Sequence, residues 1–229
     1  MKNSPLNGRL ANKKMLLCFD YDGVIVDSFD SLLSVCVEAQ AASAYGRAPS
    51  PADFQTIENL SFEELGRVIG LPDNQLASYC DSIFALQQKE WKTRPFPGIV
   101  DVLSELATQH TLAVVTNSQS EVVAAALNAF GLGSAITAVK GGESGASKAA
   151  RIAYLRAAHA AAGEATLMIG DTVGDIRAGR EAGVQTAAVT WGFQQRDLLL
   201  KEAPDCLFDQ PEELLSIVRG QGHFCSSVK

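Results

Sequence analysis

Asp20 and Asp22 stand one residue apart at the end of the apolar run Met15–Phe19, and Gly23 follows them. Five apolar residues in a row read as a buried strand, and a glycine directly after the two acids marks a sharp turn. The alternation of a strand puts both side chains on the same side. Two carboxylates held that close repel each other unless a cation or a shared proton lies between them. The pair therefore suits metal binding, proton transfer or both. An Asp-x-Asp-Gly can equally be an Asx-type turn with no chemistry.

Three later segments carry reactive groups in similar settings. Thr116-Asn117-Ser118 follows the apolar Leu112–Val115 and precedes an amphipathic stretch. Hydroxyl, amide and free N–H groups at a helix start can hold an anion, although the same residue types are also ordinary N-caps. Lys140-Gly-Gly-Glu-Ser-Gly-Ala-Ser-Lys148 is a Gly- and Ser-rich loop between two lysines. Lys148 opens the next helical pattern, against the helix dipole, which hints at a use other than stability. Gly170-Asp171-Thr172-Val173-Gly174-Asp175 follows the apolar Thr166–Ile169. If Asp171 ends a strand and Asp175 begins a helix, both can face one crevice; either could also be a simple cap.

The elements that must position these groups alternate in type. Candidate strands are Met15–Phe19, Leu112–Thr116, Ile136–Val139, Thr166–Ile169 and Thr186–Thr190. Between them lie the amphipathic stretches Ile99–Leu106, Glu121–Phe130, Lys148–Ala161 and Asp175–Ala182. This predicts an α/β fold with a doubly wound parallel sheet, which binds ligands at the carboxyl ends of its strands. From Phe29 to Thr93 the pattern is helical throughout, with Phe29–Tyr45, Phe62–Ile69 and Asp73–Trp91 as helices separated by Ala48-Pro-Ser-Pro51 and Leu71-Pro72. Three helices are too many for one crossover. The expected organisation is a core of residues 15–28 and 94–219, a helical insert of residues 29–93, and flexible ends at 1–14 and 220–229.

Composition narrows the function classes. The chain has 229 residues, 47% of them hydrophobic, enough for one large domain or one domain with an insertion. A formal net charge of −7 disfavours a nucleic-acid partner. The five cysteines include no Cys-x-x-Cys pair, and the three histidines lie far apart, so no zinc spacing is visible. Buried thiols in a reducing compartment are expected. The polar, basic start has no apolar core of a secretory signal, and no apolar run approaches a membrane span. A cytoplasmic protein, monomeric or homodimeric, is expected.

As a set, the order and spacing of these groups resemble the haloacid dehalogenase-like superfamily. Members carry Asp-x-Asp, then Ser or Thr, then Lys, then an acidic pair. The strings Phe19-Asp-Tyr-Asp-Gly-Val-Ile-Val-Asp-Ser28 and Met168-Ile-Gly-Asp-Thr-Val-Gly-Asp-Ile-Arg-Ala-Gly179 look like the phosphoglycolate phosphatase-like branch. Val24 stands where many relatives have Thr, and Ala149 where a Pro commonly follows the lysine, which leaves Lys140 as an alternative phosphate lysine.

The resemblance implies a Rossmann-like core with an inserted helical cap, and a Mg²⁺-dependent phosphatase acting on a small-molecule phosphate monoester such as phosphoglycolate or a sugar phosphate. It assigns Asp20 as nucleophile, forming an aspartyl-phosphate, and Asp22 as general acid and base. Thr116, Asn117 and Lys148 would bind the phosphoryl group. The Asp20 carboxylate, the Asp22 carbonyl and Asp171 would hold the metal, with Asp175 supporting the metal or the lysine. Glu58 and Asn59 are candidates for substrate contact, and Arg47, Arg67 and Arg94 for a second anionic group.

Two rivals remain. A sugar phosphomutase of the β-phosphoglucomutase type would be expected to show His and Lys soon after the first motif, and Ser28–Ala41 has neither. A non-catalytic phospho-receiver or scaffold is the rival of another class. Receivers, however, place the phosphorylated Asp and the acidic pair on different strands.

Overall fold

The computed structural model describes residues 14–57, 61–90 and 93–217. Strands β1 (Leu16–Phe19), β4 (Thr111–Val115), β5 (Ile136–Lys140), β6 (Thr166–Gly170), β7 (Gln185–Val189) and β8 (Cys206–Phe208) form one six-stranded sheet in the order β5-β4-β1-β6-β7-β8. Every pairing in it is parallel. The chain runs outward from β1 on one side, then crosses to β6 and runs outward on the other. The order reverses between β1 and β6, the point at which sheets of this kind form a ligand crevice at the carboxyl ends. The doubly wound α/β sheet expected from the sequence is present.

Helices cover both faces, as a parallel sheet requires. Along β1, Leu17 and Phe19 point to one face and pack with α5 (Ile99–Ala107) and α6 (Ser120–Ala129); Leu16 and Cys18 point to the other and pack with α7 (Lys148–Ala158) and α8 (Val173–Glu181). On the α8 side, Leu199 of α9 (Arg196–Lys201) joins Ile176 and Ala188. Strand β8 was absent from the sequence expectation: it is only three residues long and sits at the sheet edge.

The segment after β1 is helical: α1 (Phe29–Ala41), α2 (Pro51–Thr56), α3 (Phe62–Val68) and α4 (Asp73–Glu90). Helix α2 is an addition to the three expected helices and begins at the last residue of the break Ala48-Pro-Ser-Pro51. Pro51 occupies the first helical turn, where its missing N–H costs nothing, and a Ser50–Asp53 capping box starts the helix. These helices bury a hydrophobic cluster of their own, with Leu32, Phe54, Leu65, Leu76 and Ile83. Phe193, from the loop after β7, completes that cluster, stacking edge-on against Phe29 at 5.5 Å. The chain enters and leaves the helical segment through a small antiparallel ribbon, β2 (Val26–Asp27) with β3 (Arg94–Pro95).

Cys18, Cys36, Cys80 and Cys206 are buried. No described helix is long and apolar enough to cross a membrane. Residues 1–13 and 218–229, and with them the expected flexible ends apart from Lys14, lie outside the described residues.

Candidate active site

Asp20 leaves the end of β1 with its own N–H bonded to the Ile169 carbonyl of β6 at 2.9 Å, so it sits over the crevice. One carboxylate oxygen accepts the Tyr21 N–H at 2.7 Å, and the other lies 3.0 Å from Nζ of Lys148. Lys148, the first residue of α7, reaches across to Asp175 Oδ1 at 2.5 Å as well. Lys140 is elsewhere, with its Nζ 4.5 Å from the centre of the Tyr154 ring. The placement beside Asp20 therefore belongs to Lys148.

Asp175 has a double duty. It is the third residue of α8 and forms a capping box with Thr172: its Oδ2 accepts from the Thr172 N–H at 3.1 Å and hydroxyl at 2.6 Å. That bonding leaves Oδ1 free to hold Lys148. The cap and the ion-pair readings of this residue are both true. Helix α8 begins at Val173, two residues before the sequence expectation, because Thr172 is the cap.

Asp171 lies deeper, fully buried. Its Oδ2 accepts the Phe193 N–H at 2.7 Å, while Oδ1 is buried without a partner among the described residues. Gly23, at φ +79°, and Gly192 press against it from two sides; a β-carbon on either would collide with its carboxylate. Asp20, Asp171 and Asp175 each offer an oxygen within 4.8 Å of the others.

Burial makes this arrangement electrostatically costly. It pushes the Asp20 carboxyl up to about 7 despite Lys148, with Asp175 and Asp22 adding to the rise. Asp171 is held well above the ordinary carboxylate range by burial first, then by Asp175 and Asp20. Burial opposes the Lys148 charge too, but Asp175 and Asp20 more than offset it and hold the ammonium above the usual lysine range. Three buried carboxylates beside one ammonium leave negative charge in excess. A buried charge needs a partner. The unpartnered oxygen of Asp171 and an all-oxygen donor set fit a hard divalent cation of the magnesium kind.

Asp22 is half-buried beside the site. Ser28 donates its hydroxyl to one carboxylate oxygen and Ser118 to the other, both at 2.7 Å. Burial raises its pKa, against the two serines and Lys148. Neither serine was assigned a role of its own from the sequence, although both stand inside the quoted motifs. Thr116 is buried at the end of β4, its hydroxyl accepting the Ser118 N–H at 3.1 Å. Asn117 follows it in the same turn, with its side-chain oxygen accepting from Arg151 at 2.8 Å. Asp20, Asp171, Lys148 and Asp175 thus meet in one crevice, and Asp22 is tied to the Thr116–Ser118 turn.

The substrate-contact candidates fare differently. Glu58 and Asn59 lie outside the described residues. Arg47 is committed to Asp53 at 2.6 Å, Arg67 to Glu64 and Asp73, and Arg94 to Asp27 at 2.9 Å. Each of these arginines already pairs with at least one carboxylate.

Comparison with known proteins gives this geometry a context. The family model for haloacid dehalogenase-like hydrolases matches residues 17–189. Over 208 residues the chain is 29% identical to a phosphoglycolate phosphatase of Synechococcus elongatus, covering 88% of this chain and 96% of that protein. It is 29% identical over 214 residues to phosphoglycolate phosphatase 1 of Pseudomonas aeruginosa, covering 87% and 78%. A haloacid dehalogenase-like family hydrolase from Streptococcus pneumoniae has the same fold, with a TM-score of 0.76 at 23% identity over 89% of this chain and 97% of that one.

Proposed function

The chain belongs to the haloacid dehalogenase-like hydrolase family, and from that premise we propose that it is a magnesium-dependent phosphatase of small phosphate monoesters. The observation that carries this reading is the Asp20 carboxylate, held over the crevice with one oxygen on Lys148 and the unpartnered Asp171 oxygen in the same cluster.

Asp20 attacks the phosphorus of the ester in line, and the P–O bond to the alcohol breaks. Asp22, its pKa raised by burial, gives its proton to the departing oxygen. To do so it gives up one of its two serine hydroxyl bonds. The resulting aspartyl-phosphate is hydrolysed by water, whose proton returns to Asp22; inorganic phosphate leaves and both acids are restored. Lys148 neutralises charge on the transferring oxygens, with the Thr116 hydroxyl and the Asn117 N–H as further donors. Asp175 orients Lys148. A magnesium ion, held by the carboxylates of Asp20 and Asp171 and the carbonyl of Asp22, would supply charge neutralisation and Lewis-acid polarisation of the phosphoryl group.

The relatives support a phosphoglycolate-like substrate class. Two curated proteins matching nearly the whole chain are named phosphoglycolate phosphatases. A short, compact monoester of that kind also suits a site in which Asp20 is only 8% exposed.

A panel of phosphate esters, phosphoglycolate among them, assayed with and without Mg²⁺ tests the reading. Hydrolysis should require the metal and vanish in Asp20→Asn with the fold intact. Turnover retained in that variant would sink the covalent mechanism, and conversion of a hexose 1-phosphate to its 6-phosphate would mark a mutase instead.

A further inference from the structure

Arg151 lies one turn beyond Lys148 on α7 and is 6% exposed. Its guanidinium donates to the Thr116 carbonyl, to Oδ1 of Asn117 at 2.8 Å and to the Lys140 carbonyl at 3.4 Å. Its Nε donates to the Ser147 carbonyl at 3.4 Å. All four acceptors are neutral. Asp20 and Glu143 act on it through space, but no carboxylate among the described residues pairs with it. The other arginines of α7 and α8 lie nearer the surface: Arg177 and Arg180 meet the Glu202 carboxylate, and Arg156 bonds main-chain carbonyls.

A buried guanidinium normally carries a counter-ion, because removing it from water is costly. Here its rigid fork spans two successive residues of one turn, the carbonyl of Thr116 and the side chain of Asn117. Holding both from behind fixes the turn's backbone. The Thr116 hydroxyl and the Asn117 N–H are the donors of that turn assigned above to the phosphoryl group. The same side chain bonds the Ser147 carbonyl at the start of α7, the helix whose first residue is Lys148.

We propose that Arg151 is a positioning residue of the phosphoryl cradle: it locks the Thr116–Asn117 turn to the helix that carries Lys148, and its unpaired charge behind the turn is answered when a phosphoryl dianion occupies the cradle. The assignment rests on the phosphatase reading. It explains why a fully charged side chain is buried among neutral oxygens, where a purely structural tie would be served as well by an uncharged donor. Arg151 need not touch the phosphoryl group; it acts through the donors it aligns and through its field, which is weakly screened at such burial.

The test uses Arg151→Met, which keeps length and removes both fork and charge, and Arg151→Lys, which keeps the charge and loses the fork. Inorganic phosphate binding in the presence of Mg²⁺ is measured by calorimetry and turnover with a phosphate ester, alongside the urea unfolding midpoint. Arg151→Met should weaken phosphate about tenfold and lower kcat on the order of a hundredfold, as for loss of preorganised donors. Arg151→Lys should recover much of the phosphate affinity but little of the kcat. Wild-type phosphate affinity and kcat in folded Arg151→Met would overturn the proposal. If Arg151→Met does not fold, Arg151→Lys decides: wild-type kcat there would overturn it equally. A wild-type protein that binds phosphate yet hydrolyses no ester defeats the phosphatase reading instead, and the binding comparison still judges Arg151.

Discussion

Lys148 Nζ lies 2.5 Å from Asp175 Oδ1, and the other oxygen of the same carboxylate caps α8 through Thr172. The start of one helix thereby aims the first side chain of another at Asp20. Removing the ammonium removes a cation that burial prevents water from replacing. Lys148→Ala should lower kcat on the order of a hundredfold or more, as loss of one preorganised donor does. Lys140→Ala should leave kcat within about twofold, since Lys140 rests on the Tyr154 ring away from the crevice. Steady-state kinetics on both variants check this, and the reverse ranking would refute it.

Asp171 makes a prediction about stability. Its carboxyl is raised in the fold by burial and by its acidic neighbours, and Asp20 is raised to about 7. Groups raised in this way support the folded state below their ordinary pKa and withdraw that support as pH climbs through the folded value. Metal-free protein should therefore lose stability as pH rises from about 4 to about 7. Asp171→Asn keeps an oxygen for the Phe193 N–H and deletes a charge, so it should raise the metal-free melting temperature at pH 8. Mg²⁺ should stabilise the wild type and not the variant. Thermal scans in chelator and in magnesium read both effects; a destabilised Asp171→Asn would contradict the charge argument.

Gln194 should hold the helical segment to the sheet domain. It is 2% exposed, accepts the Val173 N–H at 2.6 Å and donates to the Ile57 carbonyl at 2.6 Å. Gln194→Ala strands a buried donor and a buried acceptor, which costs about 1–3 kcal/mol per group left unsatisfied. Urea unfolding should register the loss, and amide exchange should accelerate in α2 more than in β1. A change below about 0.5 kcal/mol, the size of an ordinary surface substitution, would count against the link.

His110 sets an opposite pH trend. It is 8% exposed and accepts the Met15 N–H at 3.3 Å through Nδ1. Burial foremost, with Lys14, pushes its pKa down against the Ile217 backbone. A depressed group contributes stability that is present above its ordinary pKa, near 6.5, and is lost as pH falls through the folded value. The stability difference between wild type and His110→Gln should shrink from pH 7.5 to pH 5.5. A constant difference across urea titrations at several pH values would refute the assignment.

Much of the site was legible because its groups sit where strands end. Asp20, Thr116 and Asp171 each follow an apolar run, and adjacent parallel strands bring their ends together whatever the intervening residues are. Lys148 was legible from its unfavourable place at a helix start. Arg151 was not: an arginine in mid-helix reads as solvated, and only the approach of the β4 turn buries it. Gln194 was hidden for a similar reason. Its partners, Val173 and Ile57, are remote in sequence, and no local pattern marks a side chain that joins them. Ser28 and Ser118 show the same limit, since two ordinary cap-type residues converge on Asp22 only in three dimensions.

The β2–β3 ribbon has an evolutionary consequence. Val26 faces Pro95 and Asp27 faces Arg94, so the chain departs and returns at neighbouring points. Adjacent strands lie about 4.8 Å apart. Any module whose two ends are that close could be spliced in at this point without altering the order or register of the six parallel strands. The carboxylates proposed to react and the lysine all belong to the sheet and its connections. Selection could therefore exchange the helical segment while the arrangement of the crevice, and the phosphorus chemistry proposed for it, stays untouched.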